Sequence, residues 1–112
     1  MRYVIPEIPP SNNKYIGRNA RWAYREEKKR WEQLIFALCR PRPLKPLRSA
    51  TVRIKYCFPD KRRRDPDNYS GKMILDGLTR SGIIADDSFF NITLILCAEF
   101  GCKDAKTVIE IA

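Results

Sequence analysis

Apolar residues occupy every second position in the middle of the chain. Between Thr51 and Phe58 the apolar positions facing one way are Val52, Ile54, Tyr56 and Phe58. Successive side chains of a β-strand point to opposite faces of the sheet, so this alternation turns one face towards a core. The segment is therefore predicted to be a half-buried strand.

A helical spacing of apolar residues precedes this strand, from about Asn19 to Cys39. The positions that follow the i, i+3, i+4, i+7 pattern are Trp31, Leu34, Ile35 and Leu38. This pattern predicts one apolar stripe along a helix. Trp22 and Tyr24 extend the stripe towards the start, and both are predicted to lie in the core. Pro41 and Pro43 end the helix, because proline cannot continue it.

A second helix is predicted over residues 69–81, with Gly82 as its stop. Three further strands are predicted, at residues 2–5, 91–99 and 107–111. Residues 91–99 are apolar on both faces, which indicates a central strand, and residues 100–104 are predicted to form a hairpin loop. The order β-α-β-α-β-β predicts an α/β or α+β fold, with a mixed sheet and two helices in one domain of residues 1–112.

The chain is strongly basic, with 22 lysines and arginines, 13 acidic residues and a net charge of +9. This balance indicates a polyanionic partner such as a nucleic acid, because neutralised phosphates release their counterions. The same charge in a soluble protein can also serve solubility alone. No apolar run approaches the ~20 residues that cross a bilayer, and the start lacks the pattern of a signal peptide. We therefore expect no membrane association.

The absence of histidine from the sequence narrows the possible chemistry. It excludes Ser-His-Asp triads, one-histidine nuclease sites and imidazole metal sites. The cysteines are Cys39, Cys57, Cys97 and Cys102. They have no CxxC spacing, which disfavours a structural zinc site, and we expect them to be reduced in a cytoplasmic protein.

Opposite charges are concentrated in the stretch from residue 61 to residue 87. It begins with four consecutive cations, Lys61, Arg62, Arg63 and Arg64. Asp65 and Asp67 follow, and Pro66 between them biases Asp65 towards an extended backbone. Residues two apart in an extended segment point to the same side, so both carboxylates can face one ion. Carboxylate oxygens suit Mg²⁺ or Mn²⁺, which can activate the water that attacks a phosphate ester.

Other residues complete this candidate site. Lys72 supplies a positive charge for the developing phosphate intermediate or helps to orient the nucleophile, and Asp86 and Asp87 close the stretch. The cation run is placed to hold a phosphate backbone beside the ion. The N-terminal loop adds polar residues that can line a nucleic-acid surface: Asn12, Asn13 and Lys14.

The same residues also admit purely structural interpretations. The DPDN sequence is a turn followed by a helix cap, in which Asp67 or Asn68 would cap the second helix. Asp86 and Asp87 can belong to an ordinary loop, and Asp76 can be a solvated or salt-bridged helix position. The cation run can be a solvated basic loop, which is the usual outcome for such runs.

Three segments, taken together, resemble the RusA family of Holliday-junction resolvases of bacteria and their phages: PPSNNKY, FPDKRRRDPDN and KMILDGLTRSGIIADDS. The resemblance extends from Pro9 to the last strand. It implies a homodimeric, Mg²⁺-dependent endonuclease that cuts four-way DNA junctions by paired nicks, with an α/β fold and a mixed sheet. It also implies that Asp65, Asp67 and Asp87 bind the metal and that Lys72 is catalytic. We expect no small-molecule cofactor.

Lys72 departs from the family pattern, in which two residues separate DxDN from the lysine; here three intervene. One added helical residue rotates a side chain by about 100°, so Lys72 keeps its place only if Gly71 absorbs the insertion before the helix begins. A helix of this length also carries the chain about 18 Å away. Asp87 must then return to Asp65, within the subunit or from a dimer mate.

Two other functions are compatible with the same charges. A non-catalytic basic module that binds DNA or RNA would show a steep salt dependence and indifference to Mg²⁺. A family member that binds junctions without cutting them is also conceivable, although the presence of all three aspartates disfavours it.

Overall fold

The computed structural model describes residues 1–17 and 20–112, which form a four-stranded sheet and two α-helices. The strands and helices in chain order are β1 (Arg2–Ile5), α1 (Ala20–Leu38), β2 (Ala50–Phe58), α2 (Lys72–Arg80), β3 (Ile92–Phe100) and β4 (Lys106–Ile111). The predicted fold class and the predicted order of elements are confirmed. The predicted start of the first helix at Asn19 lies outside the described residues.

The strand β2 lies inside the sheet, whose order is β1-β4-β2-β3. It runs parallel to β3 and antiparallel to β4, so that Ile54 pairs with Leu96 on one side and with Ile109 on the other. Two parallel neighbours need a crossover connection, and α2 supplies it between β2 and β3. The sheet is therefore mixed.

The core packs one face of this sheet against both helices. The alternating positions of β2 are buried as the sequence predicts: Val52, Ile54, Tyr56 and Phe58. The two helices approach each other closely at Gly77, where an added Cβ would lie 2.5 Å from Ile35 Cδ1. Glycine at this position therefore sets the distance between α1 and α2.

The buried stripe of α1 differs from the prediction. Trp31 and Ile35 are fully buried, whereas Trp22 is 72% exposed and Leu38 is 42% exposed. The core predictions for Trp22 and Leu38 are wrong. Trp22 belongs to the first half of α1, which carries no fully buried residue, and Leu38 is the last residue of the helix, beyond the buried Ile35. Within the described residues, neither helix is long and apolar enough to span a membrane.

The strand β3 lies at an edge of the sheet, so the prediction that it is central is wrong. β4 pairs with the other side of β2, which leaves β3 at the edge of the sheet. Because β2 lies between them, β3 and β4 do not form the predicted hairpin. Their connection crosses the end of β2, where the backbone N–H of Cys102 donates to the carbonyl of Phe58 at 3.0 Å. Leu94 and Ile95 of β3 remain 36% and 41% exposed.

Candidate active site at the start of the second helix

Gly71 determines where α2 begins. Its φ is +81°, in the left-handed region, and it precedes Lys72, the first residue of the helix. The extra residue between Asn68 and Lys72 is therefore accommodated before the helix starts, as the spacing requires. Neither Asp67 nor Asn68 caps α2, because the N-cap is Gly71 and no side chain bonds there. The predicted start of this helix at Tyr69 is also wrong.

The chain returns to this point after α2. The nine residues of the helix extend about 13 Å. Gly82 then adopts a φ of +80°, and residues 83–87 run back alongside Leu47, whose carbonyl accepts from Ala85 N at 2.8 Å. Five extended residues reach about 16 Å, which is enough to bring the Asp87 carboxylate to 3.7 Å from Lys72 Nζ. Asp87 reaches the start of α2 within one chain.

The adjacent aspartates Asp86 and Asp87 have different roles. The Asp86 carboxylate accepts from the backbone N–H of Asp87 at 2.9 Å. Asp87 directs its own carboxylate to Lys72. Asp87, the member of the pair that the resemblance implies, is therefore the one that contacts Lys72.

Lys72 is held as a cation between two acids. Its Nζ donates to Asp76 Oδ1 at 2.9 Å and lies near Asp87. The hydrogen bond to Asp76, together with the charges of Asp76 and Asp87, raises the pKa of Lys72 despite partial burial. Lys72 therefore carries its proton at neutral pH, so it can stabilise negative charge but cannot act as a general base.

Asp76 is a site residue that the sequence does not single out. One carboxylate oxygen bonds Lys72, and the other lies 3.5 Å from Lys28 Nζ of α1. That second oxygen, Oδ2, is buried and accepts no hydrogen bond. The salt-bridged alternative for Asp76 is therefore confirmed. The available signal was the i, i+4 spacing of Lys72 and Asp76, which places both on one helix face.

The loop that carries Asp65 and Asp67 is braced by the N-terminal turn. Asp65 is extended, with φ −107° and ψ 141°, but Pro66–Asn68 form a 3-10 turn, so the expectation of one extended segment is wrong beyond Asp65. Asn12 Nδ2 donates to the Asp67 carbonyl at 2.9 Å and to Ser70 Oγ at 3.3 Å. Asn12 is exposed, and its two hydrogen bonds hold this loop in position.

The predicted metal ligands do not converge within a single chain. Among the residues that the structure describes, three potential ligand atoms lie within 4.8 Å of one another at one place only, formed by Cys57, Glu99 and Cys102. Asp65, Asp67 and Asp87 are therefore more widely spaced than that. Their accessible carboxylates have the donor chemistry that Mg²⁺ requires, but sharing one ion requires them to move closer.

The four-cation run is not uniform. Arg62 and Arg63 have side chains that are 81% and 88% exposed, whereas that of Arg64 is only 13% exposed. Arg64 lies over the Phe58 ring at 4.1 Å and pairs with Asp60 at 2.9 Å. The hydrogen bond from Arg64 is the largest cause that lowers the pKa of Asp60. Arg64 therefore anchors the loop, while Lys61, Arg62 and Arg63 face solvent.

A groove of about 500 Å³ runs between the N-terminal turn, α1 and the start of α2. Residues from all three elements line it, among them Asn12, Arg21, Tyr24, Ser70 and Lys72. Asn13 and Lys14 are exposed on the same turn as Asn12. The groove therefore combines donors and cations beside the acids of the candidate site.

No protein-family model and no curated protein matches this chain. The function must therefore be inferred from the geometry and from the sequence motifs.

Proposed function

We propose that the chain is a Mg²⁺-dependent DNA endonuclease that cuts four-way junctions by paired nicks, in recombination and repair. The observation that carries the proposal is the meeting of Asp87 with Lys72 at 3.7 Å in one chain. This contact brings the last acid of the charged stretch back to the start of α2, which follows the turn of Asp65 and Asp67 along the chain. The resemblance of the three sequence segments to RusA resolvases supports the same function, as does the net charge of +9.

Asp65, Asp67 and Asp87 would hold Mg²⁺, or Mn²⁺ in its place. When bound, the ion supplies an activated water and charge stabilisation for the phosphate. Binding has a local competitor, because Asp65 Oδ1 is paired with Arg63 Nε at 3.2 Å. We infer that DNA phosphates release Arg63 from Asp65, which frees the carboxylate for the ion.

The side chains of the site do the remaining work. Lys72 keeps its proton through its bond to Asp76 and offers positive charge to the developing phosphate intermediate. Lys61, Arg62 and Arg63 hold the phosphate backbone from the exposed side of the loop. Asn13 and Lys14, which are exposed on the same turn as Asn12, add to this surface, while Asn12 keeps the Asp67 loop in place.

A second copy of the chain is the partner that the edge strand β3 would bind. Residues 92–98 of β3 contain no charged side chain, although edge strands of monomers are commonly protected by charges or proline. Phe89 and Phe90, just before β3, are fully exposed. Antiparallel pairing of β3 with its symmetry mate would cover this edge and supply the two active sites that a symmetric junction requires.

The second candidate function is a basic module that binds DNA or RNA without cutting it. The separation of the three aspartates in the single chain favours this alternative. It predicts that affinity falls steeply with salt and does not depend on Mg²⁺.

Cleavage of synthetic DNA separates the two functions. A four-way junction, a fork and a linear duplex would be incubated with and without Mg²⁺, and the products resolved on a denaturing gel. We expect paired nicks in the four-way junction, and only when Mg²⁺ is present. Asp67→Asn should slow nicking at least about 100-fold, because removing even an outer-shell partner of a metal costs 10–100-fold, and should leave junction binding intact.

Asp104→Asn is the matched control, because Asp104 is exposed on the loop between β3 and β4 and the change in charge is the same. It should cut like the parent. Equal cutting by Asp67→Asn and the parent would exclude the assigned metal site.

A reducing, cytoplasmic location in a bacterium or a phage-infected cell completes the proposal and agrees with four free cysteines.

A further inference from the structure

Two thiols and a carboxylate meet on the side of the sheet that the helices do not cover. The Sγ atoms of Cys57 and Cys102 and a carboxylate oxygen of Glu99 all lie within 4.8 Å of one another. Both cysteines are free. The proposed endonuclease makes no use of any of these groups.

The sheet topology produces this cluster. Cys57 is the next-to-last residue of β2, and Glu99 is its register partner on β3. Because β4 pairs with the far side of β2, the connection from β3 must cross the end of β2. Gly101 turns the chain with a φ of +74°, and the backbone N–H of Cys102 then bonds the Phe58 carbonyl at 3.0 Å. Cys102 is thereby fixed above Cys57.

The donor set identifies the class of ligand. Two thiolates with one carboxylate suit a borderline-soft divalent cation, above all Zn²⁺, whereas Mg²⁺ takes oxygen ligands. Three protein ligands leave one tetrahedral position for water. The spacing of the cysteines along the chain conceals this site, because its ligands come from two strands and a loop.

We propose that Cys57, Glu99 and Cys102 bind one Zn²⁺ ion that ties the β3–β4 connection to the end of β2. Binding deprotonates both thiols and releases their protons to solvent. Glu99 must exchange its ion pair with Lys55, now 3.4 Å away, for the metal. Burial and the neighbouring Cys57 raise the pKa of the Cys102 thiol, and the positive charge of Lys106, the register partner of Cys57 on β4, opposes this rise.

The ion would also steady the start of the basic loop. Cys57 precedes Asp60 by three residues, and a Cβ built on Gly101 would lie 3.6 Å from Lys61 Cε. The bound ion would therefore hold the backbone next to the point where Lys61 and Arg62 begin the basic loop. The proposal does not depend on endonuclease activity, since it concerns different residues and a different ion.

Titration of the metal-free, fully reduced protein with Co²⁺ tests the site directly. We expect a thiolate-to-cobalt charge-transfer band that saturates at one ion per chain and disappears when Zn²⁺ is added. Cys102→Ser and Glu99→Gln should weaken binding by at least about 10–100-fold, the loss seen for weaker outer-shell contacts. Both side chains are at the surface, so the variants should fold even if a substitution at buried Cys57 does not.

Cys97→Ser is the matched control, because Cys97 lies on the same strand as Glu99 but outside the cluster. It should bind Co²⁺ like the parent. The proposal is overturned if the charge-transfer band is absent, if Cys97→Ser abolishes it as fully as Cys102→Ser, or if Cys57 and Cys102 form a disulfide in the presence of Zn²⁺. Co²⁺ bound only by aspartates would give no thiolate band and would equally contradict it.

Discussion

Replacing Gly71 with alanine tests how the backbone places Lys72. The left-handed conformation at φ +81° costs a residue with a Cβ about 1–2 kcal/mol. The new methyl would also lie 2.8 Å from Ile54 Cδ1, and overpacking of this kind costs about 1–3 kcal/mol. Alanine restricts the unfolded chain and recovers about 0.4–1 kcal/mol. We therefore expect Gly71→Ala to destabilise the fold by about 2–4 kcal/mol.

Gly82→Ala is the matched control for this prediction. Gly82 has nearly the same φ, +80°, but an added Cβ there meets nothing within 4 Å. This variant should lose only the backbone term, about 1 kcal/mol after the unfolded-state gain. The difference between the two variants isolates the contact with Ile54.

Urea and thermal unfolding followed by circular dichroism measure both effects. In a domain of this size about 1 kcal/mol corresponds to about 4 °C in Tm, so Gly71→Ala should melt several degrees below Gly82→Ala. Junction nicking should also fall more in Gly71→Ala, at a temperature where both are folded, because Lys72 is the next residue. Equal Tm values for the two variants would refute the assignment of Gly71 as a packed, left-handed start of α2.

Further predictions concern the charges of the site. Lys72→Met should slow nicking by about 100–1,000-fold, the effect of removing one preorganised donor, with Lys72→Arg retaining part of the rate; equal rates for Lys72→Met and the parent would contradict its role. Because the pKa of Lys72 is raised, mainly by Asp76, the rate should not fall as pH rises towards ~10, where an unperturbed lysine begins to lose its proton; a fall near pH 8 would contradict this. Arg64→Ala should lower the free energy of unfolding by about 1–2 kcal/mol, because the contacts of Arg64 with Phe58 and Asp60 are lost. Arg63→Ala should leave urea unfolding nearly unchanged and should weaken DNA binding. A larger loss of stability in Arg63→Ala than in Arg64→Ala would contradict the assignment of Arg64 as the anchor of the loop. Arg64 lowers the pKa of Asp60, so this pair should stabilise the protein above pH ~4 and lose that contribution as pH falls further, which urea midpoints at two pH values would show; a midpoint difference between parent and Arg64→Ala that persists unchanged at low pH would contradict it.

The elements of the fold follow from local patterns, and their arrangement does not. The alternation in β2 depends only on which residues of one strand face the core, so the sequence carries it directly. The position of β3 depends on a competition between β3 and β4 for the two sides of β2. The apolar pattern of β3 is equally compatible with a central place and with an edge, and β3 lies at the edge.

Helix α1 illustrates a second limit. Its apolar spacing correctly predicts a helix but extends over more length than the core can cover. Trp31 and Ile35 lie where α2 and the sheet meet α1, while Trp22 belongs to the early turns and remains 72% exposed. Which turns of a long amphipathic helix are buried depends on the positions of the other elements.

The same distinction between local pattern and tertiary arrangement applies to the candidate site. The residue types in the charged stretch indicate metal and phosphate chemistry from the sequence alone, and the structure begins α2 at Lys72, directly after Gly71. The i, i+4 bond between Lys72 and Asp76 is local to α2, whereas the contact of Asp76 with Lys28 and the return of Asp87 are tertiary facts. The Cys57 and Cys102 pair could not be found from spacing, because a strand crossing brings them together.

Anomalous scattering from crystals soaked with Mn²⁺ tests the proposed metal site most directly. We expect a strong peak in each subunit, with oxygens of Asp65, Asp67 and Asp87 at about 2.1 Å, the distance typical of small hard cations. A dimer in which these carboxylates stay apart and no manganese lies between them would contradict the proposed endonuclease, and would leave a basic protein that binds DNA without cutting it.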